Sequence, residues 1–341
     1  MRDNAGAVSA VFLRALKVEF DSCSAEWRSR FVDCGGLEAV GGVMMAALVE
    51  ERVSHLKLCM DAVVGLVTDV ADLARVAVVP DILTAAVGTL TLAAPDIADG
   101  GSGGARALLP LRVTAANLLT ALAVSPEYDN SAALADAFEH ARVAAGAAGR
   151  YDALVEAVSE VGAGAGLDGD GGGGGSDEEA AEVWTQVALT VRFVTQYANA
   201  YETLEARVAL RTELTLAGWL TALEAVQARI DADDEADIAA AAAGEGGSAR
   251  AGEARAAAIR SIDTYLSEMT ADEVEAATAA GTDVVADPDT LWTSVLAQAG
   301  EIGEVDNLVT LMRYLHVIPS TALVGRPLWQ RAEEAVRRGG V

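Results

Sequence analysis

The chain has 341 residues, is 52% hydrophobic but only 5% aromatic, and carries a formal net charge of −27 at pH 7. That charge argues against nucleic acid and anionic membranes, since the chain would be repelled by phosphates instead of releasing their counterions; a basic peptide suits it better. Ala, Leu and Glu are abundant helix formers, so the chain reads all-α, with closely spaced helices because many core side chains must be alanines. No run approaches the ~20 apolar residues of a membrane span, and MRDNAGAVSA at the start lacks the apolar stretch of a signal peptide. Cys23, Cys34 and Cys59 form no CxxC pair and leave one over, which reads as three buried thiols in a reducing, cytoplasmic setting.

In chain order, short amphipathic helices are expected over 11–20 and 25–34, the second closed by Gly35-Gly36, where glycine tolerates a left-handed backbone. A string of the type "turn residue, then apolar-x-Ala-apolar" recurs as GGLEAV (35–40), PDILTAAV (80–87), YDALVEAV (151–158) and GWLTALEAV (218–226). Longer apolar helices precede the last three, clearest at 52–67, 111–124 and 184–198. The first two strings are roughly 45 residues apart, the spacing of armadillo or HEAT units. The later gaps are widened by Gly-rich inserts near 94–105 and 162–179. The acidic run DADDEAD (231–237) opens an acidic and Ala/Gly linker over 229–253. A C-terminal helical segment follows over 254–341, its last helices expected at 305–317 and 327–338.

The stretch 111–158 is the most legible. At about 100° per residue, Leu111, Ala115, Leu118, Leu119 and Leu122 share one helix face, and Val113, Asn117, Ala121 and Val124 share the opposite one. No acid or lysine lies on that second face. A helix with water behind it normally carries charge there, so the small uncharged face implies that something packs on it.

Motifs for chemistry are weak. Asp168, Asp170, Gly173 and Glu179 occupy positions 1, 3, 6 and 12 of a calcium loop, but position 5 is Gly172, with no ligand atom, so the stretch reads as a flexible acidic linker. His55 and Cys59 lie four residues apart, and two ligands leave a zinc shell half empty. No metal or cofactor is expected. Without a nucleophile elbow, a metalloprotease helix or a phosphate loop, no catalytic residue and no enzyme activity are expected either.

Four stretches taken together, SAEWRSRFVDCGGLEAV (24–40), the 111–158 region, RVALRTELTLAGWLTALEAV (207–226) and LMRYLHVIPSTALVGRPLWQRAEEAV (311–336), resemble the N-terminal regulatory region of diaphanous-related formins. The resemblance implies an armadillo-repeat α-solenoid over 25–228, an inhibitory domain, followed by a dimerisation-like segment over 254–341 and hence a homodimer. Such a region binds an amphipathic autoregulatory helix in a groove, holds an actin-assembling half inactive, and works beside the actin cytoskeleton. Ala121 and Val124 match the groove's inner helix, Thr195 matches a groove position that is usually Asn, and Arg192 lies one turn before it. Residues 1–24 match a remnant of the subdomain that binds Rho-type GTPases, with Asp21, Ser22 and Cys23 at the turn that contacts the GTPase. A generic armadillo adaptor is the alternative; such peptide carriers repeat Trp and Asn along their inner helices, and here only Trp184 is found.

Overall fold

The computed structural model describes residues 8–67, 69–92, 103–125, 130–163, 177–242 and 249–279, with isolated positions at 293, 296, 297, 299, 300 and 308. The described residues form thirteen helices and no strand, so the chain is all-α. The Gly-rich stretches at 93–102 and 164–176, the calcium-type positions 168, 170 and 173, and the expected helices at 305–317 and 327–338 lie outside the described residues.

The chain divides into two compact units, residues 1–202 with 218–268, and residues 203–217 with 269–341. In the first unit, α1 (Ala10–Ser22) packs on α4 (Val53–Leu66) through Leu13 and Phe20, both buried. Next, α2 (Ala25–Asp33) meets α3 (Gly36–Val49) at 69° across Gly35, whose φ of 77° is the left-handed turn expected of it. Ser24 caps α2, its hydroxyl accepting from the Trp27 N–H at 3.2 Å.

Each of the four recurring strings opens a helix: α3, α6 (Pro80–Leu90), α9 (Asp152–Gly162) and α12 (Trp219–Ala242). Their closing valines, Val40, Val87, Val158 and Val226, are all buried. Of these helices, α3 packs against α6 and α9 against α12, and the intervening helices form a second series in which α7 (Gly103–Val124) lies between α4 and α10 (Asp177–Asn199). The short α5 (Val70–Ala77) and α8 (Ser131–Ala145) both pack on α6, whose residues 82–90 are buried on every side.

Close approach is bought with missing side chains. A Cβ on Gly41 would sit 2.9 Å from the Asp81 Cβ, and one on Gly162 2.9 Å from the Ala225 Cβ, so these glycines set the α3–α6 and α9–α12 spacings. Trp184 and Trp219 anchor the core, and Phe138 stacks on Phe193 and Tyr197 with centroids 6.1 and 5.7 Å apart.

Three expectations change. Helix α7 begins at Gly103, ahead of Pro110, because buried Leu108, Leu109 and Leu111 hold the turn while the proline ring takes the exposed side. The acidic run 231–237 continues α12 as helix to Ala242. Only Cys59 is a buried thiol; Cys23 is half-buried and Cys34 exposed.

The second unit contains α11 (Leu204–Leu216) and residues 269–279 of the long helix α13 (Ala249–Ala279). Asp272, itself buried, takes Arg207 at 3.0 Å and Arg211 at 2.8 Å.

Candidate functional site

On α7 the two faces separate as their spacing requires. Leu111, Ala115, Leu118, Leu119 and Leu122 are buried, while Asn117, Ala121 and Val124 are exposed, Val124 to 54%. The open stripe extends toward the start of the helix through Thr114, Val113 and Pro110 and carries no charge along its length. Thr114 donates its hydroxyl to the Pro110 carbonyl at 2.9 Å, so even this polar side chain is turned back onto its own helix.

The adjoining helix α10 presents its own open stripe of Glu182, Thr185, Leu189, Arg192 and Gln196, at spacings of three and four. Arg192 is therefore on the accessible side. Thr195 is not: it is 2% exposed and its hydroxyl donates to the Val191 carbonyl at 2.9 Å. The physical reason is phase. Thr195 lies three residues from Arg192, but also four from Val191 and one from Val194, both buried, and the wide apolar face of α10 claims it. The exposed position nearest to it is Gln196.

The expected GTPase-contact residues are not grouped with this stripe. Asp21 and Ser22 close α1, and Cys23 is its C-cap, with the thiol against the Phe20 carbonyl at 3.4 Å. Ser22 donates to the Val18 carbonyl at 2.9 Å. Beside them, Trp27 stacks on Phe31 at 5.5 Å, and α2 has no buried residue, so this aromatic pair is half exposed.

Chemistry is sparse. No group of three potential metal ligands occurs among the described residues. Burial pushes the Cys59 thiol up to about 12, offset only in part by Arg52, so it stays protonated and unreactive at neutral pH. The hydroxyls of Tyr151, Tyr197 and Tyr201 form a chain at 3.3 and 3.1 Å, and burial, then the neighbouring phenols, raises the pKa of Tyr197. These groups brace the core.

One buried charge went unread in the sequence. Arg112 lies on the packed side of α7 and donates to the Leu92 carbonyl at 2.5 Å, tying the end of α6 to α7, and burial lowers its pKa. Its neighbours Leu111 and Val113 disguise it, because one arginine in an apolar run looks like a solvated residue. No single helix among the described residues is long and apolar enough to cross a membrane. No known protein-family model matches the chain, and no curated protein matches it either.

Proposed function

We propose that this chain is the regulatory, partner-binding region of a formin-like actin regulator, built as an armadillo-type array without catalysis of its own. The observation that carries the reading is the open face of α7. It is uncharged from Pro110 to Val124, it is left uncovered, and its Ala121 and Val124 are the two positions that the formin resemblance matches to a groove. The recurring helices α3, α6, α9 and α12, with α4, α7 and α10 between them, support the array.

The occupant is an amphipathic helix with apolar anchors at i, i+3, i+4 and i+7 and a basic flank, lying on Asn117, Ala121 and Val124. Ala121 is small enough for the partner's backbone to approach. In this reading such a helix holds an actin-assembling half inactive in the cytoplasm. A Rho-type GTPase would release it through Asp21, Ser22, Cys23 and the exposed Trp27–Phe31 pair beside them.

The test is a titration of a fluorescent helical peptide, apolar on one face and rich in Arg and Lys in its last turn, against wild type and Ala121→Asp. The aspartate adds bulk and an unpaired charge to a dry contact and should cost on the order of 2–5 kcal/mol of binding. Circular dichroism should show both proteins equally folded, because Ala121 faces away from Leu118 and Leu122. Equal affinities would leave Ala121 as an ordinary surface residue and end the docking reading.

A further inference from the structure

A cavity of about 530 Å³ opens where α4, α7, α10 and the first turn of α13 meet, all within the first unit. It continues the open stripe: Pro110, Val113 and Thr114 of α7 form one wall and Glu182 of α10 another, with Lys57 of α4 and with Arg250 and Glu253 of α13 around them. Formally the four charges cancel, but their partners do not. Lys57 is 3.1 Å from Asp61 and Arg250 is 2.9 Å from Glu178, two carboxylates outside the cavity wall. Glu182 and Glu253 have no cation within ion-pair distance among the described residues. The cavity therefore holds two neutralised cations and two carboxylates left over, beside apolar walls that weaken solvent screening.

We infer that this cavity receives the basic end of the helix that docks on α7, with a Lys or Arg side chain entering it and its ammonium or guanidinium held by Glu182 and Glu253. This rests on the docking reading above. The distance fits: from Val124 to Pro110 is fourteen residues of helix, about 21 Å, so a partner of four turns seated on Ala121 and Val124 reaches the cavity with its far end. The stem of a lysine or arginine suits the Pro110 and Val113 wall, and the charge suits what lies beyond it. A bare metal ion is poorly served, since no group of three ligating side chains is present among the described residues.

The full chain is titrated with two peptides sharing one apolar face, one with Arg and Lys in its last turn and one with Gln at those positions. Four further proteins are compared with wild type: Glu182→Gln, Glu253→Gln, the double variant, and a control carrying Glu156→Gln and Glu224→Gln, two exposed acids on α9 and α12. The double variant should bind the basic peptide about fivefold more weakly and the neutral peptide unchanged, each single variant falling between. The control should bind both like wild type, which separates a local site from the general attraction of a −27 chain. An equal loss for both peptides, or a loss as large in the control, overturns the cavity inference. Ala121→Asp run alongside keeps the two readings apart: no effect there overturns docking on α7, whereas Glu182 and Glu253 variants with no selective effect overturn the cavity alone.

Discussion

Two adjacent glycines of α3 separate packing from propensity. Gly41 faces α6, where an added Cβ would meet the Asp81 Cβ at 2.9 Å and the Ile82 backbone nitrogen at 3.3 Å, while around Gly42 nothing lies within 4 Å. Gly41→Ala should therefore cost on the order of 1–3 kcal/mol through overpacking, and Gly42→Ala should gain about 0.5–1 kcal/mol by restricting the unfolded chain. Urea midpoints moving in opposite directions would bear this out; two shifts of the same sign would not. The same contrast of phase decides which site residues were legible. Ala121 and Val124 were legible because α7 has a narrow core face of leucines, so its other side is unambiguous. Thr195 was not, because α10 buries thirteen of its residues and leaves only a thin open stripe, and a shift of one position takes a side chain from water to core.

At the scale of elements, the sequence reading placed helices well where a leucine or valine periodicity met a capping residue, as at Ser24 and at the four recurring strings. It failed where tertiary contacts overrode a local signal. Pro110 looked like a helix boundary and is helix interior; DADDEAD looked like an irregular linker and is helix. The second case has a cause in the structure. The buried residues of α12 end at Ile230, and residues 231–242 carry no buried side chain, yet Arg255 of α13, 5% exposed, donates to Asp234 at 2.6 Å and to Asp237. That guanidinium clamp is what joins the acidic end of α12 to α13. Arg255→Met keeps the stem and removes the charge, so amide hydrogens over 231–242 should exchange roughly tenfold faster while the melting temperature barely moves. Unchanged exchange would mean that the acidic helix stands without the clamp.

At the scale of the molecule, the net charge and the uncharged stripe act together. A chain at −27 attracts basic partners from a distance, but its long-range field carries no information on where they land; an open surface without charge, ending in two uncancelled carboxylates, supplies that. All-helical character and the recurring strings were legible because composition and spacing survive without knowledge of contacts. The cavity was not, since Lys57, Pro110, Glu182 and Glu253 come from four separate helices and no local pattern links them. The most direct measurement is methyl NMR on alanine and valine methyls of the full chain, titrated with the basic amphipathic peptide. The account expects the Val113, Ala121 and Val124 signals to shift together and saturate at one affinity, while Val49 and Val143, exposed to 75% and 64% elsewhere on the first unit, stay in place. Saturable binding that moves Val49 or Val143 and leaves Ala121 and Val124 unshifted would contradict it.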